Sequence, residues 1–259
     1  HIKNFKSLTE IAKAKSEIIN NIVEGGKIIL NRDDDYFDFI KKIALRKNIH
    51  IVSFSKKNSL SDIYIKKIIS KNNNYKIFIN IKNFTKSFLI KKNLYPYLYN
   101  ILATVAVISE FYELKHIDEK LFYKFNLSFS RGDIKKIKLK NKVIYLTDES
   151  YNSNPLSLKF AIENFNKQNH NNKYLVLGDM LELGKFSKIL HKKISKTINK
   201  TSIKKVYVIG KHIKETFFSI DKKKRGRILL DKSEIYQLIK NDLNNNDHLM
   251  IKASNSTGL

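Results

Sequence analysis

The 259-residue sequence has no cysteine, which excludes disulfides and thiolate zinc sites. It has no run of eighteen apolar residues, so no membrane-spanning helix is predicted. No secretory signal pattern opens it. It is also short of arginine. Of its 50 basic residues only five are arginine: Arg32, Arg46, Arg131, Arg225 and Arg227. Arginine supplies the planar forks that grip phosphates and read guanine. Its scarcity weighs against the nucleic-acid reading that a formal charge of +26 invites. The lysines are spread along the whole chain beside many asparagines, and both residues use AT-rich codons, so a biased genome accounts for the charge. The densest run, Lys222-Lys223-Lys224-Arg225-Gly226-Arg227, reads as a solvated loop between elements.

What is present supports a folded enzyme-sized chain. Hydrophobic residues make up 42%, and the length suits one large or two ordinary domains. Ser7-Leu8-Thr9-Glu10 is a capping box that opens a helix with Leu8, Ile11, Ile18 and Ile19 inward. Lys27–Asn31 is a strand, and Asp33-Asp34-Asp35 lead into a helix with Phe37, Ile40 and Ile43 at helical spacing. The stretch 49–54 is a second strand. Between 62 and 90, strands at 63–65, 75–81 and 88–90 with asparagine-rich turns predict an antiparallel meander. An apolar helix follows from about Asn100 to Phe111, then a second near Asp118–Phe125. The break at Ser130-Arg131-Gly132-Asp133 is the expected domain boundary.

Beyond it the pattern becomes regular. Strands at 142–147, 173–177, 205–209, 227–230 and 248–251 alternate with helices at 155–166, 187–199, 211–218 and 233–243. Such alternation predicts a parallel sheet with helices on both faces, an α/β architecture. It would bring Asp148, Asp179, Lys211, Asp231 and Lys252 to one rim. The stretch Asp148-Glu149-Ser150-Tyr151-Asn152-Ser153-Asn154-Pro155 stands at that rim. Asn154 is a good N-cap and Pro155 suits the first helical position. Leu156, Phe160 and Phe165 are read as the inward face. Two carboxylates and two amides at a strand's carboxyl end fit either a ligand turn or a well-capped connection.

Three stretches together resemble the Mur ligases of peptidoglycan synthesis. One is Asp148–Pro155, similar to the family's acidic-acidic-Ser-Tyr-Asn-x-Asn-Pro turn. Another is Leu177-Gly178-Asp179-Met180-Leu181-Glu182-Leu183-Gly184 with His191. The third is His1 with Phe5, Ser7, Ala14-Lys15 and Glu17-Ile18. Leu30-Asn31 with Asp33-Asp34 also fits the family's Asn-x-Asp-Asp strand end. The resemblance implies an ATP-dependent amide ligase of the cytoplasm, serving cell-wall synthesis and so cell shape and division. It implies the rear of a central P-loop-type ATPase domain at 1–132 and a Rossmann-like ligase domain at 133–259. The nearest branch joins D-alanyl-D-alanine to UDP-N-acetylmuramoyl-tripeptide through an acyl phosphate; those two compounds are the implied partners, with ATP and Mg²⁺ as cofactors and a monomeric enzyme. The Gly-x-x-x-x-Gly-Lys-Ser/Thr phosphate loop is absent from these residues. The start at His1 and the stop just after Lys252-Ala253-Ser254 lead us to expect a piece of a longer enzyme, inactive by itself.

Residue roles follow from the resemblance. His1 and Lys15, the latter as a carbamate, would hold magnesium and serve catalysis, because carbamylation turns an ammonium into a hard oxygen donor. Asn31, Asn100, Arg131, Asp148, Glu149 and Asn152 would surround the nucleotide. Asp179, Glu182, His191, Lys252 and Ser254 would meet substrate. Each has a plainer reading as well: a snorkelling helix lysine for Lys15, a capping amide for Asn100, a linker arginine for Arg131, a structured loop and helix-face histidine for Asp179, Glu182 and His191, an ordinary strand end for Lys252 and Ser254. The chain departs from the family where Leu94-Tyr95-Pro96-Tyr97 replaces Gly-Arg-His-Asn, and where Ser130 and Ala253 replace glycines. Rival readings are a folylpolyglutamate-type ligase of the same superfamily and a basic nucleic-acid-binding protein, which would bind with steep salt dependence.

Overall fold

A computed structural model describes residues 5, 7–72, 74–126, 132–170 and 172–259. His1 and Arg131 lie outside the described residues. The chain divides into two compact units, Phe5–Asn126 and Leu127–Leu259.

In the first unit the Ser7 hydroxyl accepts from the Glu10 amide and starts helix α1, Leu8–Ser16. The helix stops at Ser16 and continues as a tighter 3-10 turn at Glu17–Asn21. That change of period sends Ile19 fully inside and leaves Ile18 64% exposed. Leu8 is also exposed, so of the four expected inward residues Ile19 alone is fully buried. Strand β1 (Lys27–Asn31), helix α2 (Phe37–Arg46) and strand β2 (His50–Ser55) follow. Ile19, Ala44 and Ile49 form one small core with Ile28, Ile40, Ile43 and Ile51.

The expected meander is present and longer than the sequence pattern indicated: β3 (Ile63–Lys71), β4 (Asn74–Ile81) and β5 (Phe84–Lys91). The sheet order is β1-β2-β3-β4-β5, parallel from β1 to β3 and antiparallel from β3 to β5. Ile77, Ile79, Ile81, Phe88 and Ile90 alternate inward and are buried. Helix α3 (Leu98–Ser109) adds Leu98, Leu102, Val105 and Ala106 to the core. The helix expected near 118–125 is instead a series of turns. Asp118 accepts from the Lys120 amide, an Asx-type turn that competes with helix, and Phe122 is anchored edge-on against Phe88 at 5.2 Å.

The second unit opens with β6 (Asp133–Leu139), a strand that the sequence reading did not single out, paired antiparallel with β7 (Lys142–Asp148). Then come α4 (Pro155–Asn166), β8 (Lys173–Gly178), α5 (Ser187–Asn199), β9 (Lys205–Ile209), α6 (Lys214–Ser219), β10 (Arg225–Leu229), α7 (Ser233–Asn241) and β11 (His248–Lys252). The sheet order is β10-β9-β8-β11-β7-β6, parallel from β10 through β7. Strand alternation divides its side chains between two cores. Leu175, Leu177, Val206 and Val208 pack under α4, α5 and α6; Tyr174, Val176, Tyr207 and Leu249 pack against α7.

Two readings of this unit are corrected. Helix α4 buries Leu158, Ile162 and Phe165, whereas Leu156 and Phe160 are 63% and 53% exposed. Those two sit two residues from Leu158 and Ile162, about 200° around the helix. The basic run at 222–227 is solvated at Lys222, Lys223 and Arg227, but it forms a 3-10 turn and the start of a strand and not a loop. Arg225 opens β10, its guanidinium donates to the carbonyls of Phe218 and Ile220, and Arg227 pairs with Asp242 at 3.1 Å. Lys224 is buried, and its ammonium donates to the carbonyls of Thr201 and Ile203. Burial pushes its pKa below the usual lysine range.

Candidate functional site

In a doubly wound sheet, ligands sit outside the carboxyl ends of the strands where the strand order reverses. In the second unit the chain runs outward from β7 through β8 and β9 to β10, then returns to lay β11 between β8 and β7. The end of β11 is therefore flanked by the turns that follow β7 and β8, and its residues tie both of them down.

Lys252 is 3% exposed, and its Nζ donates to the Asn152 carbonyl at 2.8 Å and the Glu149 carbonyl at 3.3 Å. It also pairs with the Glu149 carboxylate at 3.4 Å. Burial lowers the lysine's pKa, and the adjacent Glu149 opposes that shift. Ser254 bridges the two turns: its hydroxyl donates to the Ser153 carbonyl at 3.1 Å and accepts from the Leu181 amide at 2.9 Å. Its own amide donates to the Asp179 carbonyl. Asp148 accepts from the amide and hydroxyl of Ser150, closing the turn after β7. Asn152 is exposed and accepts from the Ser153 amide at 2.7 Å. Asn154 caps α4 through a reciprocal bond pair with Ser157.

The turn after β8 is held from the other side. The Asp179 carboxylate accepts from the amides of Lys211, His212 and Ile213 at 3.0, 2.9 and 2.7 Å. Gly210 permits this approach; at φ +132°, a Cβ there would lie 2.7 Å from the carboxyl carbon of Asp179. His191 is fully buried on α5 and reaches back to the Met180 amide. Glu182 is exposed on the turn at φ +61°, the left-handed region that non-glycine residues rarely adopt.

The structure thus gathers Asp148, Glu149, Asn152, Asp179, Glu182, Lys252 and Ser254 along one rim. Within it, Asp179, Lys252 and Ser254 are buried and hold backbone groups of the turns, while Asn152 and Glu182 are exposed. Asp231 forms its own turn by accepting from Ser233.

In the first unit a second rim forms at the ends of β1 and β2. Asn31 accepts from the Asp33 amide at 3.1 Å. The Asp33 carboxylate collects the Ser55 hydroxyl at 2.5 Å, the Lys56 amide at 2.7 Å and the Tyr99 hydroxyl at 3.2 Å. The start of α3, with exposed Asn100, therefore stands beside the Asn31 turn. Lys56 lies 3.8 Å above the Tyr99 ring. Burial lowers the lysine's pKa; burial and then Asp33 raise the tyrosine's. Asp33, Lys56 and Tyr99 were missed as site residues. The Asn-x-Asp-Asp strand end marked Asp33, but nothing local marked the other two. Lys15 is on α1, exposed. An open cleft of about 390 Å³ against α2 and β2, lined by Arg32, Phe37, Lys41, Ile51 and Asp62 among others, holds none of the expected site residues.

Among the described residues no group of three or more histidine, aspartate or glutamate side chains is placed to hold a metal ion. His1 lies outside them, and Lys15 is exposed on α1. Among them, no helix is long and apolar enough to cross a membrane.

Comparison with known proteins agrees with both halves of this description. The model of the Mur ligase middle domain matches residues 1–108, and that of the Mur ligase, glutamate ligase domain, matches residues 135–255. The chain is 34% identical over 266 aligned positions to UDP-N-acetylmuramoyl-tripeptide–D-alanyl-D-alanine ligase of Buchnera aphidicola subsp. Baizongia pistaciae, covering all of this chain and 55% of that protein. Two solved structures share the fold. MurF from Acinetobacter baumannii has a TM-score of 0.81 at 21% identity, over 99% of this chain and 55% of that one. MurF ligase from Thermotoga maritima, solved in complex with ADP, has a TM-score of 0.80 at 21% identity, over 99% and 56%. The chain spans about half the length of the curated relatives it matches.

Proposed function

The chain belongs to the Mur ligase family, and on that footing we propose that it serves the ATP-dependent joining of D-alanyl-D-alanine to UDP-N-acetylmuramoyl-tripeptide. The observation that carries this reading is the rim at the end of β11, where Lys252 and Ser254 fasten the Asp148–Asn154 turn to the Asp179–Leu183 turn. A ligase that activates a carboxylate with ATP must hold a nucleotide, keep water from the acyl phosphate and present an amine. Fixed dipoles and charges do that work best when they need no rearrangement.

In this reading Asp148 and Glu149 suit ribose hydroxyls, and Asn31, Asn100 and Asn152 offer amides to the base or phosphates. Arg131 keeps its proposed role as a nucleotide contact. The exposed Glu182 carboxylate suits the ammonium of the incoming dipeptide. Asp179, His191, Lys252 and Ser254 act by holding the two turns. The nucleotide supplies the phosphoryl group that activates the peptide carboxylate. Magnesium enters the proposal as a partner of the phosphates, with His1 and carbamylated Lys15 as its ligands. The soluble, uridine-linked substrate argues for the cytoplasm.

Loss of this protein from its cell is expected to raise UDP-N-acetylmuramoyl-tripeptide and deplete the pentapeptide product, both read by mass spectrometry. Unchanged levels of both would refute the reading. A folate polyglutamate defect in their place would favour the folylpolyglutamate-type alternative.

A further inference from the structure

We propose that His191 is a positioning residue: its unprotonated Nε2 holds the turn after β8, and with it Glu182, in the shape that receives the amine. The inference rests on the ligase reading given above.

The geometry fixes the state of the ring. The Met180 amide lies 3.0 Å from Nε2 and can only donate, so Nε2 must accept. The proton then sits on Nδ1, which faces the Ser187 carbonyl at 2.8 Å. The ring is fully buried, and the Thr216 hydroxyl donates to the carbonyl of the same residue, tying α6 to this point of α5. The charged and titratable groups around it are Asp179 from the end of β8, His212 from the turn before α6, its ring 5.9 Å away, and Glu215 on α6. Burial outweighs the Ser187 hydrogen bond and the two carboxylates and lowers the ring's pKa from the ordinary histidine value.

Three braces converge on residues 179–181: the Met180 amide on His191, the Leu181 amide on Ser254, and the Asp179 carboxylate on the 211–213 amides. Glu182 follows at once in its left-handed conformation. Such a backbone persists only where neighbours over-determine it. A proton on Nε2 would turn two donors toward each other and break the first brace. Acid should therefore loosen the turn before the sheet beneath it.

The test is amide exchange by NMR on the whole chain, with leucine and glutamine variants. The ¹⁵N shifts should show the Nδ1–H tautomer. Protection of the Met180 amide should fall at least tenfold in His191→Leu while β8 and β9 amides keep theirs. It should survive in His191→Gln, whose side-chain oxygen can accept. In the native chain it should fall as the His191 ring titrates, and in the glutamine variant it should not. In ligase assays of the longer enzyme that carries this segment, His191→Leu should raise KM for D-alanyl-D-alanine at least tenfold and KM for ATP less than twofold, with partial rescue by glutamine. An Nε2–H tautomer, equal Met180 protection in the leucine variant, or an unchanged KM for the amine would each overturn the proposal. Failure of the metabolite test given above would instead overturn the ligase reading, and the exchange data would still decide whether His191 braces the turn.

Discussion

His248 offers a sharp test of how this fold depends on pH. It is the first residue of β11, fully buried between Tyr145 of β7 and Lys173 of β8. Its Nε2 lies 2.8 Å from the Thr147 hydroxyl, while Nδ1 has no protein partner. Phe165 and His170 pack edge-on against the ring at centroid distances of 4.8 and 4.1 Å. A proton here would place a cation in a dry site beside another histidine and the Lys173 ammonium. Burial first, then those two neighbours, pushes the pKa down to about 3. Between that value and the unfolded value of roughly 6.5, the unfolded chain binds the proton and the folded chain does not. This contribution to stability is therefore fully present above about pH 6.5 and lost as pH falls below it. From pH 7.5 to pH 5 the loss is about 2 kcal/mol, since the folded ring stays neutral and the unfolded ring is almost fully charged. Because the chain has two units, the assay should follow β8 and β11 amide signals through urea titrations at both pH values. The double variant His248→Phe, Thr147→Val removes the titrating ring and its partner hydroxyl together, and should flatten the pH dependence by about 2 kcal/mol. Equal pH dependence in both proteins, or a His248 ring that titrates near 6.5 by NMR, would refute the reasoning.

Three further outcomes are expected. Asn154→Ala should cost the second unit about 1 kcal/mol in urea unfolding, since it removes the side-chain oxygen that caps α4; Asn154→Asp should be nearly neutral. Ser254→Ala strands the part-buried Leu181 amide and should cost about 1 kcal/mol, with faster exchange at Leu181 than at Met180 as its signature. Lys15, if carbamylated, should give a carbamate carbon signal in ¹³C-bicarbonate that disappears in Lys15→Arg; no signal from the native protein under saturating bicarbonate would remove Lys15 from the proposed metal set.

Much of the second unit was legible residue by residue. Each strand there is a short apolar run closed by a polar turn, and each helix has its own period, so alternation alone implied a parallel α/β sheet. The Asn154 cap and the Pro155 start were readable because capping is a contact between near neighbours. Element edges were less so: β6 was not singled out, and the helix predicted at 118–125 proved to be turns held by Phe122 on Phe88. Faces failed where two apolar spacings compete. In α4, Leu156 with Phe160 looks as good as Leu158 with Ile162 until the sheet chooses one pair.

Local order therefore determined which residues become strands, caps and turns, and the motifs tied the chain to its family. Tertiary packing decided what those motif residues do. Asp179, Lys252 and Ser254 read in sequence as polar groups at strand ends, and His191 as a histidine on a helix face. Only the return of β11 between β7 and β8 turns Lys252 and Ser254 into fasteners, and only the crossing of α5 brings His191 beneath Met180. A hydrogen bond joining residues 73 or 100 positions apart leaves no periodic trace in the chain, because its partners are set by strand order and not by spacing.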